Sequence, residues 1–132
     1  MSKITISPYE GFNQISFGDS REIVRNKLGN YTEFKKSKFS KNTTDDFGFC
    51  HVFYTPDNKV NAIEFFPGAE VSFNNKSLFS LSYSDAKAFL SDSSIEENDC
   101  GAKFPKYGIS IFAPELSKIE TILIYSRNYW SK

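Results

Sequence analysis

The alternation of apolar and polar positions predicts an antiparallel sheet in the middle of the chain. Residues 49–54 (FCHVFY) and 60–66 (VNAIEFF) are rich in aromatic and β-branched side chains, which favour strands. The TPDNK segment between them places Pro56 at the first turn position and Asn58 where a positive φ is tolerated. These two segments therefore predict a β-hairpin.

Further strands are predicted on both sides of turn-forming residues. The PGA and NNK turns lead into EVSFNN (70–75) and SLFSLS (77–82), so that four short strands in a row form a meander. Two more strands are predicted at YGISIFA (107–113) and IETILIYS (119–126). The last segment is apolar on both faces, which is typical of a central strand.

A short helix is predicted within FGDSREIVRNKLGNY (17–31). Asp19 is placed to accept from the free amides of the first turn, and Glu22 has capping-box spacing from it. Gly29 suits the C-terminal position of the helix. The apolar stripe is narrow and consists of Ile23, Val24 and Leu28. The side chains expected to face water are those of Arg21, Glu22, Arg25 and Asn26. A helix of about nine residues is marginal alone and must cover a sheet.

A second short helix is predicted at residues 83–91, with Ser82 and Asp85 at capping-box spacing. Residues 91–102 are then a polar loop, and residues 35–48 are a polar loop or a ragged hairpin. The predicted fold class is α+β: one domain over residues 1–132, with an antiparallel meander of about six to seven strands and two short helices packed on it.

Composition is that of a globular chain without membrane or export segments. Apolar residues make up 39% of the chain and aromatic residues 17%, which is too much for a disordered chain. No apolar run approaches the roughly 18 residues of a membrane-spanning helix, and MSKITISPYEGF lacks a signal-peptide core. We therefore expect a cytoplasmic protein whose two cysteines, Cys50 and Cys100, are free thiols.

Charge is balanced overall but not along the chain. The formal net charge is zero, which argues against a general attraction to polyanions or membranes. Residues 21–41 carry seven lysines and arginines against two glutamates, whereas residues 85–99 carry five carboxylates against one lysine. Either run can be a solvated face or a contact surface.

No residue pattern predicts an enzyme or a metal site. One histidine and two cysteines are too few for a zinc site. His51 is the only histidine that could act as the base of a Ser or Cys nucleophile. Glu64 lies within an apolar strand, and a side chain that points outward from a one-sided sheet explains a carboxylate at this position without a catalytic role. No glycine-rich phosphate loop is present. We therefore expect no catalytic residues, no metal and no cofactor, and a protein that works by contact.

Three segments carry a resemblance to a known class of proteins. GDSREIVRNKLG, HVFYTPDNKVNAIEFF and IETILIYSRNYW resemble small immunity proteins of bacterial polymorphic-toxin and contact-dependent growth inhibition systems. The resemblance covers about residues 10–130. The helix pattern is also similar to small α+β lipoproteins of outer-membrane assembly, but this sequence has neither a signal peptide nor a lipidated N-terminal cysteine.

The immunity resemblance implies an antitoxin that binds one cognate toxin domain, a nuclease in many such systems, and blocks it by protein–protein contact. Basic nuclease clefts attract carboxylates. The acidic side chains expected at the contact are therefore, first, Asp92, Glu96, Glu97 and Asp99 and, second, Asp45 and Asp46. Phe39 and Tyr107 are candidate aromatic anchors.

The alternative is a general protein- or nucleic-acid-binding module without a toxin partner. YTEFKKSKFSK combines two phenylalanines with four lysines, as a single-strand-binding surface requires. The lysines that would contact phosphates are Lys35, Lys36, Lys38 and Lys41. An exposed edge strand would also leave pairing with another chain open.

Overall fold

The structure is a computed structural model of the 132-residue chain, and it describes residues 3–13 and 15–129. Its two α-helices are α1 (Arg21–Leu28) and α2 (Tyr83–Leu90). The strands within the described residues are β1 (Ile4–Ser7), β2 (Gly11–Phe12), β3 (Ile15–Ser16), β4 (Thr32–Phe34), β5 (Thr44–Asp46), β6 (Cys50–Tyr54), β7 (Val60–Phe65), β8 (Val71–Phe73), β9 (Lys76–Ser77), β10 (Glu96–Asn98), β11 (Gly101–Phe104), β12 (Ile109–Phe112) and β13 (Thr121–Tyr125).

The strands form two sheets. An antiparallel sheet of eight strands has the order β10-β11-β12-β13-β7-β6-β5-β4, and a sheet of five has the order β3-β2-β1-β8-β9. In the smaller sheet β1 pairs with β8 in parallel. The α+β class and the two short helices are confirmed, but a single sheet of six to seven strands is wrong.

The predicted four-strand meander divides into two hairpins on different sheets: β6 pairs with β7, and β8 pairs with β9, where Ser72 is in register with Ser77. Strands β6 and β7 pair as predicted around a turn in which Asn58 has a φ of 65°. Strand β8 leaves them and joins β1 instead, while the predicted strand at 77–82 contains a 3-10 turn at Leu78–Ser80. The ITIS segment of β1 alternates buried and exposed residues, but four residues near the chain start give little periodic signal.

Helix α1 covers the core as predicted but is capped by a different residue. The hydroxyl of Ser20 accepts from the Ile23 amide at 3.3 Å, whereas the Asp19 carboxylate accepts from the Ser16 amide at 2.8 Å. Val24 is fully buried and Ile23 is 43% exposed. Helix α2 begins as predicted, with the Ser82 hydroxyl accepting from the Asp85 amide at 3.1 Å.

The eight-stranded sheet has one covered face and one open face. Both helices and the smaller sheet share the main core on the covered face, where Phe12 and Phe65 pack edge to face. Strand β13 lies between β12 and β7, which confirms its central position. The open face carries a smaller cluster around Phe53, Ala62 and Tyr125, and Ser110 and Thr121 are half-buried there, so this face is less completely covered.

Candidate protein interaction surface

Asp45 is buried beneath helix α1. Its carboxylate has no exposed surface; it accepts from Nε and Nη2 of Arg25, both at 2.8 Å, and from the Tyr54 hydroxyl at 2.9 Å. The prediction that Asp45 is a solvated contact residue is wrong, because strand alternation turns its side chain toward the core and that of Asp46 away from it.

The two arginines of α1 are engaged inside the molecule. Arg21 donates to the carbonyl of Thr43 at 2.7 Å and to its hydroxyl at 2.9 Å, and Arg25 donates to Glu33 at 3.0 Å. Hydrogen bonds from Thr43 and Arg25 lower the pKa of Glu33, and the hydrogen bond to Asp45 raises the pKa of Arg25. The prediction that Arg21 and Arg25 face water is therefore wrong.

Asp46 and His51 meet on the open face. The Asp46 carboxylate accepts from the Gly48 amide at 2.8 Å and lies 3.5 Å from His51 Nε2. The His51 ring packs between Phe34 and Phe66, with centroid distances of 5.0 and 4.5 Å. His51 is therefore half-buried between two aromatic rings, and Asp46 remains partly accessible as a contact.

The four carboxylates of residues 92–99 are divided rather than gathered. Glu97 points to the covered face, where it accepts from Tyr83 at 2.6 Å and from Lys87 at 2.9 Å. Glu96 lies on the open face, 3.9 Å from Lys103. Asp92 accepts from the amide and the hydroxyl of Ser94, at 2.8 and 2.6 Å, while Asp99 is exposed in the turn after β10. The segment that was predicted as a loop thus contains the edge strand β10.

The loop after β12 brings further carboxylates and two apolar side chains beside this edge. The Glu115 amide donates to the Asp99 carbonyl at 2.9 Å, and the Glu120 amide donates to the Phe112 carbonyl at 2.8 Å. Phe112 is 45% exposed and Leu116 is 38% exposed. We call this surface the acidic corner; it consists of Glu96, Asp99, Phe112, Glu115, Leu116 and Glu120.

The backbone of the acidic corner is held in an uncommon conformation. Glu115 and Leu116 both have a φ of 57°, a region that non-glycine residues enter at a cost of about 1–3 kcal/mol each. Surrounding hydrogen bonds hold the loop, since the Leu116 amide donates to the Ala113 carbonyl at 2.8 Å and the Ala113 amide donates to the Cys100 carbonyl at 2.7 Å. These bonds therefore fix the backbone of the loop that carries Glu115 and Leu116.

A shallow groove of about 360 Å³ runs along the same edge of the sheet. Its lining residues include Glu96, Lys103 and Phe112. Two lysines, Lys103 and Lys118, belong to the neighbourhood, against four carboxylates in the corner itself. The acidic corner thus combines two exposed apolar side chains with an excess of carboxylates, which is complementary in charge to a basic surface.

The two predicted aromatic anchors have different surroundings. Phe39 is 82% exposed, as an anchor requires. Tyr107 is half-buried and packs against Phe73 with ring centroids 5.0 Å apart. The prediction that Tyr107 is an exposed anchor is wrong, because its ring completes the core next to α2.

Sequence reasoning missed the exposed apolar side chains of the acidic corner. Ile109 and Ile111 point to one face of β12, and Phe112 points to the other. Because side chains alternate between the two faces of a strand, this spacing could have predicted an outward-facing ring at Phe112. Nothing in PELSK predicts that Glu115 and Leu116 take a positive φ, because neither residue type favours it.

The described residues show no metal centre and no membrane-spanning element. Nowhere in residues 3–13 and 15–129 do three His, Cys, Asp or Glu side chains converge to hold an ion. Within the same ranges no helix has the length and apolarity needed to cross a membrane. No protein-family model, curated protein or solved structure matches the chain. Function must therefore be argued from the surface itself.

Proposed function

We propose that this chain is a non-enzymatic immunity protein: a cytoplasmic antitoxin that binds one cognate toxin domain, a nuclease, and neutralises it by contact. The observation that carries the proposal is the acidic corner. Phe112 and Leu116 offer exposed apolar surface, and carboxylates border it on the edge of a rigid sheet.

The geometry of the corner favours tight binding for two reasons. Its loop is tied to the β10–β11 turn by backbone hydrogen bonds, so little conformational entropy is lost on binding. Its carboxylates Glu96, Asp99 and Glu115 are exposed and can meet the basic residues with which a nuclease holds phosphates. Apolar anchors at the centre and charges at the border are the usual division of roles at such contacts.

The proposal is tested by co-expression with the product of the adjacent gene. We expect that product to stop growth when it is expressed alone, and to elute with this protein as a stable 1:1 complex when both are present. A harmless neighbour, or a toxic neighbour that does not bind this chain, would overturn the proposal.

The contact surface is tested by charge reversal in the same assay. The triple variant Glu96→Lys, Asp99→Lys and Glu115→Lys should lose protection and co-elution. A matched control is Glu10→Lys, Glu22→Lys and Glu70→Lys, which makes the same charge change at exposed carboxylates elsewhere and should protect normally. Equal loss in both triples would assign the effect to net charge and not to the acidic corner.

A further inference from the structure

A hydrogen-bonded turn displays Phe39 at its tip. The Ser40 amide donates to the Ser37 carbonyl at 3.1 Å, and the Ser37 amide donates to the Ser40 hydroxyl at 3.1 Å. The Phe39 amide donates to the Ser37 hydroxyl at 3.2 Å. These bonds order the turn and leave the Phe39 ring 82% exposed. The ring is therefore held on an ordered turn and its face is open to a stacking ligand.

Four lysines belong to the same segment of the chain as Phe39. Lys36 lies over the Phe53 ring at 4.2 Å and Lys38 over the Phe39 ring at 5.3 Å. Within the part of the chain that the structure describes, the ion pairs do not include any lysine of this turn. We call this segment the lysine turn; its charged members are Lys35, Lys36, Lys38 and Lys41. Its charge is therefore open to an anionic ligand.

A groove lies between the lysine turn and the open face of the sheet. It encloses about 200 Å³ and is bordered by Lys36 and Lys41, with Phe53 and Tyr129 among its other lining residues. Phe34 is in register with Thr44, and Thr44 with Phe53, across β4, β5 and β6. Phe34 therefore lies on the same face of the sheet as Phe53, and its half-buried ring adds a second aromatic side chain beside the groove.

We propose that the lysine turn and its groove bind single-stranded nucleic acid, independently of toxin binding at the acidic corner. Lysines would contact backbone phosphates while an unpaired base stacks on Phe39. Burial and the charge of Glu64 raise the pKa of Tyr129, so one carboxylate lies near the Tyr129 side of the groove. A bilayer is the less suitable ligand, because Phe39 is the only apolar side chain among residues 35–41.

The test is fluorescence anisotropy of the whole protein with a labelled oligothymidylate, with the matching duplex and with anionic phospholipid vesicles in parallel. We expect binding of the single strand that weakens with salt, with a log–log slope of up to about −3 for four lysine–phosphate contacts. The triple variant Lys35→Glu, Lys38→Glu and Lys41→Glu should bind at least about tenfold more weakly.

Two further variants separate stacking from charge. Phe39→Ala should weaken binding about tenfold, since stacking on one ring contributes about 1–3 kcal/mol, while Phe39→Tyr should retain it. The control Lys76→Glu, Lys106→Glu and Lys118→Glu changes exposed lysines elsewhere and should bind normally. No binding of the single strand by the unaltered protein, equal loss in both lysine triples, no loss in Phe39→Ala, or binding to vesicles alone would each overturn the proposal.

Discussion

Asp45 joins three separate parts of the chain at a single buried carboxylate. It receives two hydrogen bonds from helix α1 through Arg25 and one from β6 through Tyr54. Its own strand, β5, is short and polar, and contributes little apolar surface. The position of α1 on the sheet therefore depends on this polar contact as well as on Val24.

Removal of the Asp45 charge should destabilise the fold strongly. Asp45→Asn removes the charge of a fully buried carboxylate that accepts three hydrogen bonds. We expect a cost of about 2–3 kcal/mol, since hydrogen bonds to charged groups contribute about 1.5–3 kcal/mol and Arg25 keeps its ion pair with Glu33. Urea denaturation should show this loss. The neighbouring change Asp46→Asn, at a partly exposed side chain, should cost less than about 1 kcal/mol. Equal effects at the two positions would contradict the assignment of Asp45 as the buried member.

The two cysteines should differ in reactivity. Cys50 is fully buried, and burial raises the pKa of its thiol, whereas Cys100 is exposed. A thiol reagent should therefore label one cysteine in the native protein and two in denaturant. Loss of the native labelling in Cys100→Ser would identify Cys100 as the labelled residue. Labelling of Cys50 under native conditions would mean that the β6 face opens readily.

At the residue scale, local patterns predicted the turn at Asn58 and the cap at Ser82, but indicated Asp19 where Ser20 caps α1. Asn58 has a positive φ and Ser82 caps α2 because turns and caps need only their own neighbours.

Strands β4 and β5 pair around residues 35–43, which agrees with the ragged hairpin and not the loop. The roles of Asp45 and Asp46 could still not be separated, because the pattern left both alternatives open and the partners of Asp45, Arg21 and Arg25, lie about 20 residues away. Adjacent identical residues carry no sign of which one faces the core.

At the scale of the elements, the backbones of β11 and β12 come so close at Gly101 that no residue with a Cβ atom fits there. Gly101 has a φ of 141°, and a Cβ atom there would lie 1.9 Å from the Ile111 carbonyl oxygen. This contact organises the β10–β11 turn, to which the acidic corner is bonded.

Gly101→Ala should therefore cost about 3 kcal/mol in the free energy of unfolding, since backbone strain and the overlap act together. Gly68→Ala is the control: its φ is 106°, but nothing lies within 4 Å of the added atom, so the cost should be only about 1 kcal/mol. Thermal or urea denaturation measures both. A Gly101→Ala protein as stable as Gly68→Ala would show that β11 and β12 can separate freely.

Helix α2 is linked to the edge strand β10 by a carboxylate whose contribution depends on pH. Hydrogen bonds from Tyr83 and Lys87 lower the pKa of Glu97 below its ordinary value of 4.5. A pKa that is lower in the folded state than in the unfolded state stabilises the fold above the unfolded value, and this contribution disappears as pH falls.

The melting temperature of the unaltered protein should therefore exceed that of Glu97→Gln at neutral pH, and the difference should shrink as pH falls below 4.5. Melting curves recorded from neutral to acidic pH measure this directly. Asp85→Asn serves as a control at an exposed carboxylate of the same helix. A Glu97→Gln difference that stays constant across the range would show that the contacts act by packing and not by charge.

At the element scale, hydrophobic pattern predicted those strands that are long and rich in β-branched or aromatic residues. Strands β6, β7, β12 and β13 are of this kind. It missed β10, whose sequence is EEN and whose residues are all exposed, because pairing with β11 and not local preference makes it a strand. The parallel pairing of β1 with β8 joins residues far apart in sequence, which no local pattern can predict.

On the scale of the whole molecule, the zero net charge hides a separation of charge. The acidic corner borders β10 and the lysine turn follows β4, which are the two edge strands of the eight-stranded sheet. The lysine turn reaches inward to β6 through Lys36 and Phe53, and the acidic corner reaches inward to Phe112 on β12. Strands β13 and β7 lie between β12 and β6, so the two charged surfaces occupy different parts of the sheet.

This separation could be predicted only in outline. The charge runs at residues 21–41 and 85–99 are visible in the sequence, but two arginines of the first run turn inward and Glu97 of the second pairs with Lys87. The corner acquires Glu115 and Glu120 through a loop from a distant part of the chain. Tertiary structure thus decided which charges remain available.

The central claim is that a toxin domain binds at the acidic corner, and the most direct measurement is calorimetric titration of the purified toxin into three forms of this protein. The Glu96→Lys, Asp99→Lys, Glu115→Lys triple should bind at least about a hundredfold more weakly than the unaltered chain, because like charges would then face each other. The lysine-turn triple should bind like the unaltered chain. Full affinity in the corner triple, or loss confined to the lysine-turn triple, would contradict the account.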